Sequence, residues 1–409
     1  MGYDIHEQLG QMHIGVAEIM DTGHVTLAET LCRIYCSDPG NRVFLFTLET
    51  HSVNLGFLSA IYPNLEVVAR PIEQKLEDFL HETGNYNLDR IYLVTLTKHF
   101  RVLSNWPIRT RLFLVIHNTD EWFGLNLSGS VKKFVFSASR TFKPKLWIYF
   151  FKDFFIFPRY KKNILKKVRE SDGHLVILSK SVQRELNRLG ITIPSEVVPF
   201  SVFDPSLVSE EVSSDGRLRI CIPGILSQYR RNYVGLLDTL EGQMAEYKEL
   251  FILDLLGGVQ TDNPLDDHML ILDKAEAIKN KGFSVIVHHE RFIPPIEYNR
   301  ELVKADIVLG NMNVELNRYS VYGKTKETGI PFAMIRAAKP GIIPDSYSFP
   351  DELRSSILIY HDFADLVKIL VKLVSDRGFL EDLKTKALEN SKKFSPEAVY
   401  KQMMINQDN

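Results

Sequence analysis

Cysteines and long apolar runs are scarce in this chain of 409 residues. Its three cysteines are too few for a disulfide framework, so we expect free thiols in a reducing compartment. The most apolar segment, residues 146–158, falls short of the ~20 apolar residues that a membrane-spanning helix needs, and Lys152 and Asp153 interrupt it. Residues 1–11 are polar and lack the apolar core of a signal peptide. We therefore expect a protein that is not integral to a membrane.

Neither sign of charge predominates, and common cofactor motifs are missing. The net charge is -2 and 24% of residues are charged, which gives no global attraction to nucleic acid. Residues 21–24 (DTGH) and the glycine pair at 257–258 do not extend into the GxGxxG pattern of dinucleotide-binding domains. No Asp-x-Asp pair is placed to bind a metal. We predict no metal and no organic cofactor.

The chain is too long for one hydrophobic core, and its pattern predicts two α/β domains. Short apolar runs alternate with amphipathic segments, as in βα units that form parallel sheets. A polar stretch, residues 204–217 (DPSLVSEEVSSDGR), separates two such series and predicts a linker. We predict doubly wound Rossmann-like domains at 1–203 and 218–390, with residues 391–409 as a C-terminal helix that packs back towards the first domain.

The individual elements follow from the same apolar runs. Strands are predicted at 12–19, 42–48, 65–69, 90–96, 111–117, 173–178, 218–222, 251–256, 284–288, 307–310, 341–343 and 357–360. Helices are predicted at 25–37, 72–82, 181–189, 233–245, 267–280, 296–304, 329–338, 362–374 and 377–404.

Residues 322–329 (YGKTKETG) carry the strongest chemical pattern. The loop leads into a helix that starts near Gly329, and a helix N-terminus offers unpaired N–H groups to an anion. Lys324, Lys326 and Thr328 add cationic and hydroxyl donors. The pattern favours a diphosphate ligand, and the alternative is a capped helix with solvated lysines.

Two further groups of polar residues follow predicted strands. Residues 223–233 (PGILSQYRRNY) combine Gly224 with Arg230 and Arg231 beyond a strand end, where open α/β sheets bind ligands. A solvated surface pair is the alternative for the arginines. In residues 112–123 (LFLVIHNTDEWF), an apolar strand ends at His117, which is suited to general-base work because imidazole titrates near neutrality. A structural histidine is the alternative there.

The second half of the chain contains several segments in the same order as the donor domain of family-4 glycosyltransferases, which have the GT-B fold, and it is similar to that domain. The matching segments are PG-loop-RRNY, LLGGV, HHERFIPPIEYNRELVKADIVLG and YGKTKETGIPFAMIRAAKPGIIP, and together they span nearly all of residues 218–361. The first half resembles the family more loosely, through DTGH, HNTDEWF, ILSKSVQRELNRLGI and VVPFSV.

The resemblance implies two domains facing each other across a cleft, a nucleotide-diphosphate sugar as donor, and hexosyl transfer that retains anomeric configuration. Catalysis is assigned to His117, Asp120 and Glu327, the last through a bond to the donor ribose or sugar. The acceptor side is assigned to Gly23, His24 and Asn118. Donor binding is assigned to Gly224, Arg230, Arg231, Gly257, Tyr322, Lys324, Lys326, Thr328 and Gly329.

One departure from the family leaves two alternatives open. Many members carry a glutamate pair spaced E-x7-E, and Lys326 and Met334 stand at those positions here. The departure fits either a branch that uses a basic YG-x-x-K-x-x-G loop for the phosphates or a catalytically degenerate partner subunit that binds sugar or lipid. A sugar-nucleotide epimerase on the same fold is a separate alternative function.

Residues 131–170 form a basic segment with interleaved aromatic residues. They carry twelve Lys or Arg against two acidic residues, a local charge of +10, among eight Trp, Tyr and Phe side chains between 147 and 160. Cationic and aromatic side chains suit an anionic lipid headgroup region. We predict peripheral docking at the inner face of the plasma membrane and a lipid-linked saccharide or glycan acceptor in cell-surface polysaccharide assembly. The alternatives are a solvated basic rim on a partly buried helix pair and, less favoured, a nucleic-acid binder.

Overall fold

The computed structural model describes residues 11–21, 24–123, 156–208, 216–259, 268–290 and 292–407. Contacts divide them into two compact units. The N-terminal unit contains the described residues up to Leu178, Leu186–Phe200 and those from Val399 onward, and the C-terminal unit contains Ser179–Glu185 and Ser201–Ala398. Of the predicted linker 204–217, residues 209–215 lie outside the described residues.

Seven strands and a series of helices build the first part of the described chain. The strands are β1 (His13–Glu18), β2 (Arg42–Leu48), β3 (Leu65–Arg70), β4 (Arg90–Leu93), β5 (Arg111–Val115), β6 (Leu175–Ile177) and β7 (Ser195–Val197). The helices are α1 (Val25–Cys36), α2 (Glu49–Leu55), α3 (Phe57–Ile61), α4 (Leu76–Glu82), α5 (Phe100–Asn105), α6 (Thr119–Phe123), α7 (Phe157–Glu170) and α8 (Lys180–Arg188). A short 3₁₀ helix covers Thr83–Tyr86.

The second part repeats the alternation of strand and helix. Its strands are β8 (Leu218–Cys221), β9 (Phe251–Leu255), β10 (Ser284–Val287), β11 (Ile307–Leu309), β12 (Glu315–Asn317), β13 (Ser320–Val321), β14 (Gly341–Pro344) and β15 (Ile357–Tyr360). Its helices are α9 (Tyr233–Gln243), α10 (His268–Lys279), α11 (Pro295–Lys304), α12 (Ile330–Ala337), α13 (Phe363–Ser375), α14 (Arg377–Lys392) and α15 (Pro396–Gln407). Short 3₁₀ helices cover Pro205–Leu207, Ala245–Leu250 and Asp351–Ser356.

Each unit contains a parallel sheet whose strand order reverses near its middle. The first sheet has the order β3-β2-β1-β4-β5-β6-β7, and the second has the order β10-β9-β8-β11-β14-β15. The reversal lies between β1 and β4 in one sheet and between β8 and β11 in the other. Open α/β sheets bind ligands at such points, beyond the carboxyl ends of the strands. The predicted α/β class with two doubly wound parallel sheets is confirmed.

The central strands are mostly apolar, as expected for parallel strands whose two faces are covered, and the charged pair Arg219 of β8 and Asp254 of β9 is joined by an ion pair at 2.7 Å. In the C-terminal unit, Leu218, Ile220, Leu253 and Leu255 belong to one buried apolar cluster. Polar side chains begin several helices: Asn232 accepts from the Gly235 N–H of α9 at 3.0 Å. Asp362 and Asp376 cap α13 and α14 in the same way.

Several predicted elements differ from the observed ones. The predicted strands 90–96 and 111–117 end earlier, at Leu93 and Val115, because their last residues turn into the loops that carry polar groups. The single predicted helix 377–404 is two helices, α14 and α15, separated before Pro396, whose ring disfavours a helical residue ahead of it. Helices α2, α3, α5, α6 and α7, strand β7 and the hairpin β12–β13 have no counterpart in the predicted elements.

Candidate active site

The loop after β8 and the loop after β9 approach each other closely at two glycines. A Cβ added to Gly257 would lie 1.9 Å from the Gly224 carbonyl oxygen, so only glycine fits there. The Gly224 N–H donates to the Leu256 carbonyl at 2.8 Å, and Gly224 has a φ of +102°, a conformation that favours glycine. The backbone geometry thus explains why glycine stands at both positions, and contact of either glycine with a ligand stays a prediction.

The two predicted arginines have different environments. Arg231 is 6% exposed, and its guanidinium donates to the carbonyls of Pro223 at 2.8 Å and Ile225 at 3.2 Å. Arg230 is half-buried, and among the described residues its guanidinium makes no hydrogen bond or ion pair. Arg231 therefore holds the loop in shape, with its buried Nε left without a hydrogen-bond partner among the described residues, and Arg230 keeps its donors available. Donor binding by both arginines stays a prediction.

The predicted phosphate loop ends at Gly329, an exposed glycine directly before α12. Within the loop, Val321 O accepts from Thr325 N at 2.9 Å, and Gly323, with a φ of +72°, donates its N–H to Lys326 O at 2.8 Å. Gly329 precedes α12, and a Cβ built there meets no atom within 4 Å. Gly329 is exposed, whereas Ile330, Pro331 and Phe332 in the first turn of α12 are buried, and Pro331 has no N–H.

The side chains of this loop differ in exposure and in their contacts. Lys324 is exposed and Thr328 is buried. The ammonium of Lys326 lies 5.2 Å from the ring centroid of Tyr322, a cation–π distance. These four residues were all assigned to donor binding, which stays a prediction.

One short segment after β11 links the two predicted loops. The Arg230 carbonyl accepts from Asn313 N at 2.9 Å, and the Val314 carbonyl accepts from Tyr322 N at 2.9 Å. Asn313 also donates through Nδ2 to the carbonyl of Tyr229 at 3.0 Å. The structure thus brings together the loops around Arg230 and Tyr322 where the strand order reverses, between β8 and β11.

Glu327, predicted as catalytic, is bound by three hydroxyl groups of its own unit. Oε1 accepts from Ser179 and, at 3.3 Å, from Ser181, while Oε2 accepts from Tyr347 at 2.6 Å. Burial raises the pKa of Glu327 against the lowering effect of these donors. In this arrangement Glu327 fixes the loop before α12, and its contact with a donor sugar stays a prediction.

The reversal point of the N-terminal sheet carries a buried carboxyl group that the sequence analysis did not single out. Glu18, at the end of β1, is fully buried and accepts from Thr95 Oγ1, from His24 N at 3.0 Å and from Met20 N at 3.2 Å. Burial raises the pKa of Glu18 to about 7, although the hydrogen bonds from Thr95, Met20 and His24 lower it. A group with that pKa changes charge near neutral pH.

The two predicted histidines lie beside each other next to Glu18. The rings of His24 and His117 are 4.1 Å apart between centroids, and Phe200 packs edge-on against His24 at 5.4 Å. His117 Nε2 lies 2.8 Å from the Val94 carbonyl, so Nε2 carries the proton and a neutral ring leaves Nδ1 as an acceptor. Burial lowers the pKa of His117, which keeps the ring neutral near pH 7.

The remaining predicted residues of this unit are less completely placed. Asn118 donates through Nδ2 to Glu121 at 3.0 Å, and Asp120 lies in the first turn of α6. Gly23 lies outside the described residues. His24 is exposed at the surface. Loss of hydration around its ring, and next the neighbouring His117, lower the pKa of His24.

Helix α7 is the described part of the predicted basic segment, since residues 131–155 lie outside the described residues. Lys161 Nζ lies over the rings of Phe100 and Trp122, at 5.2 and 5.4 Å, and Lys167 donates to the Trp106 carbonyl at 2.7 Å. A row of exposed basic residues at helical spacing faces away from these contacts: Arg159, Lys162, Lys166 and Arg169. The helix therefore has both an anchored and a solvent-facing set of cations.

The described residues show neither a metal site nor a membrane-spanning helix. They contain no cluster of three or more His, Cys, Asp or Glu side chains suited to a metal ion. No helix within the described ranges is long and apolar enough to cross a membrane. Two cavities of the N-terminal unit, both lined by Leu80, His81, Trp106 and Pro107, contain none of the predicted site residues.

No protein-family model matches this chain, and no curated protein is significantly similar to it in sequence. Solved structures are similar over their whole length. The N-terminal domain of trehalose-6-phosphate phosphatase from Candida albicans is 12% identical with a TM-score of 0.60, covering 99% of this chain and 98% of that chain. Sucrose-phosphate synthase from Thermosynechococcus elongatus is 14% identical with a TM-score of 0.58, covering 97% and 98%. HepE from Anabaena, in complex with UDP-glucose, is 14% identical with a TM-score of 0.57, covering 97% and 99%.

At such low identity these similarities show the fold alone. The chain has the GT-B fold, with two Rossmann-like units that each contain a parallel sheet. This confirms the fold expected from the resemblance noted in the sequence.

Proposed function

We propose that this chain is a glycosyltransferase that takes a hexosyl group from a nucleotide-diphosphate sugar. The observation that carries the proposal is the junction in the C-terminal unit, where Asn313 and Val314 hold the loop of Arg230 against the loop that leads to Gly329. It combines Arg230, whose guanidinium makes no bond among the described residues, lysines on the following loop and an exposed Gly329 directly before α12. HepE, which shares the fold, is described in complex with UDP-glucose, and that ligand class matches these groups.

The reaction displaces a nucleoside diphosphate from the anomeric carbon of the sugar. Negative charge develops on the leaving diphosphate, and preorganised cations and N–H donors stabilise it most effectively. We assign that role to Arg230, to Lys326 and to the N–H groups at the start of α12, so the step requires no metal. We assign His117 and Asp120 to catalysis and His24 and Asn118 to acceptor binding, with retention of anomeric configuration.

We further propose that the acceptor is a lipid-linked saccharide or glycan in cell-surface polysaccharide assembly. The exposed cations of α7 support this, because basic residues near an anionic leaflet each contribute about 1 kcal/mol to membrane binding. The enzyme would then act peripherally at the cytoplasmic face of the plasma membrane.

The test incubates the purified chain with UDP-, GDP- and ADP-sugars, with and without a lipid extract as acceptor. Acceptor-dependent release of one nucleoside diphosphate supports the proposal. Epimerised sugar without acceptor identifies an epimerase, and calorimetric binding of a nucleotide sugar without turnover identifies a binding subunit. The absence of binding and turnover for the whole panel would overturn the assignment.

A further inference from the structure

The helical segment after β2 presents an apolar face to solvent. Gly56, between α2 and α3, keeps right-handed helical angles (φ -60°, ψ -26°), so residues 49–61 run almost as one helix. Val53, Phe57 and Ile61 are four residues apart and are 84%, 46% and 52% exposed. A surface helix normally turns polar residues to water, and a contiguous exposed apolar patch marks an interaction site. We call these three residues the apolar helical face.

The charges around the apolar helical face disfavour a lipid surface. Residues 50–65 contain no Asp, Glu, Lys or Arg, and the segment is bordered by Glu49 and Glu66. Helices that bind anionic membranes place Lys and Arg beside their apolar residues. Two cations of neighbouring elements do reach this face, and both are paired: Arg33 lies 5.9 Å from the ring centroid of Phe57 and bonds to Glu29, and Arg42 bonds to Glu66. A face that adds no cation of its own fits a protein partner better.

The same side of the unit ends in an unpaired strand edge. β3 is the outermost strand of its sheet, and α2 and α3 both pack on it. Val43 N donates to Asn64 O at 2.9 Å, and Val43 is in register with Leu65. In a parallel ladder this directs the N–H and C=O groups of Val67 and Ala69 away from β2, while the outward Leu65 N–H donates to the Tyr62 carbonyl at 3.1 Å. No described strand pairs with these groups, and such an edge is a template for another strand.

The sequence of β3 is complementary to itself in one antiparallel register. A two-fold axis at Val68 pairs Val67 with Ala69 of the partner subunit through the outward N–H and C=O groups. The same axis places Glu66 opposite Arg70 of the partner subunit, twice. Among the described residues Arg70 makes no ion pair, and its Nε is buried without a hydrogen-bond partner. Opposite charges facing each other across strands are stabilising.

We propose that a second copy of this chain binds here, forming a two-fold symmetric dimer through β3 and the apolar helical face. Specific dimers bury about 1,600 Å² in total, more than a strand edge alone supplies. The adjacent apolar helical face provides the additional area, and a two-fold axis uses the same patch on both subunits.

The test measures the mass of the full chain by sedimentation velocity between 1 and 100 µM, with variants that target the register. Glu66→Arg and Arg70→Glu each place like charges opposite one another twice, so each should weaken the dimer about tenfold or more. The double variant Glu66→Arg/Arg70→Glu restores both pairs and should dimerise again. Phe57→Glu should give a monomer, and Met269→Glu, at a site 57% exposed on α10, is the matched control. Circular dichroism and melting verify that each variant is folded.

A wild-type chain that is monomeric at 100 µM overturns the proposal. A dimer unaffected by Phe57→Glu places the interface elsewhere. Two weakened single variants without recovery in the double variant overturn the register. Anionic vesicles that bind a monomeric wild type but not Phe57→Glu identify a membrane as the occupant.

Discussion

The side chain of Arg231 occupies the space beside Gly224 that any other residue at position 224 would need. A Cβ at that position would lie 2.6 Å from Nη2, and the guanidinium closes the loop by donating to the carbonyls of Pro223 and Ile225. An arginine that its sequence context suggests for phosphate binding is therefore part of the loop's internal structure. Its neighbour Arg230 keeps its donors available.

Substitutions of the two arginines should separate stability from binding. Arg231→Ala leaves two carbonyls without their donors and should lower the free energy of unfolding by about 2–4 kcal/mol. Arg230→Ala breaks no side-chain hydrogen bond among the described residues and should change stability by less than about 0.5 kcal/mol. Urea unfolding of both variants measures this difference. Equal destabilisation would contradict the distinct roles.

Gly257→Ala should distort both loops. The added Cβ would overlap the Gly224 carbonyl oxygen at 1.9 Å, and backbone cannot move aside as a flexible side chain can. We expect a loss of stability of about 3 kcal/mol or more, or failure to fold. Gly242→Ala is the control, because a Cβ there meets no atom within 4 Å. A Gly257→Ala protein with the same melting temperature as the wild type would refute the close approach of Gly257 to the Gly224 carbonyl.

Glu18 should make stability depend on pH in a defined direction. Its folded pKa of about 7 exceeds the ordinary value of 4.5, so the folded state binds more protons between these values. Stability from this group is fully present below about pH 4.5 and is lost as pH rises through 7, by about 3 kcal/mol in total. Denaturant unfolding at pH 5, 6, 7 and 8 should show this slope in the wild type and a flatter profile in Glu18→Gln. Identical profiles would show that Glu18 does not titrate as described.

Tyr347 should influence donor affinity through Glu327. Tyr347→Phe removes the 2.6 Å hydrogen bond to Glu327 Oε2, which should lower the free energy of unfolding by about 1–2 kcal/mol. The loop before α12 should then be held less firmly. We expect a several-fold weaker affinity for the donor nucleotide by calorimetry, with Tyr319→Phe on the β12–β13 turn as the control. An unchanged affinity would separate this carboxylate from the donor site.

The exposed row on α7 should govern binding to anionic vesicles. Charge reversal at Lys162 and Lys166 should reduce co-sedimentation several-fold, and added salt should weaken binding of the wild type. Lys161→Ala should instead lower stability, because its ammonium packs over Phe100 and Trp122. Unchanged co-sedimentation of the charge-reversed protein with anionic vesicles would contradict the membrane role of this helix.

The fold could be predicted from the sequence because each sheet is built from apolar runs that carry a local signal. β15 was predicted residue for residue, and most strands were placed within one to three residues. The pair α2–α3 could not be predicted in this way, because residues 50–65 contain no charges and Gly56 interrupts the helical pattern. Such a segment becomes helical through its packing on β2 and β3.

A candidate site can be proposed from the sequence where one local segment contains the chemistry. The loop of residues 322–329 and the helix start at Gly329 are contiguous in sequence, so their pattern was visible. The bonds that Arg231 makes with main-chain carbonyls, and those from Ser179 and Tyr347 to Glu327, depend on tertiary structure. Glu18 could have been singled out from one feature of the sequence: it is a carboxylate inside the apolar run IGVAEIM, directly before a turn.

The most direct test of the central claim is the dissociation constant of the donor nucleotide for three proteins, measured by calorimetry at one salt concentration. The proteins are the wild type, Arg230→Ala and Lys368→Ala, the last replacing an exposed cation on α13. If the Arg230 loop and the start of α12 hold the diphosphate, Arg230→Ala should bind about 10–100-fold more weakly, and Lys368→Ala should match the wild type. Equal affinities for all three proteins would show that the diphosphate is not bound there.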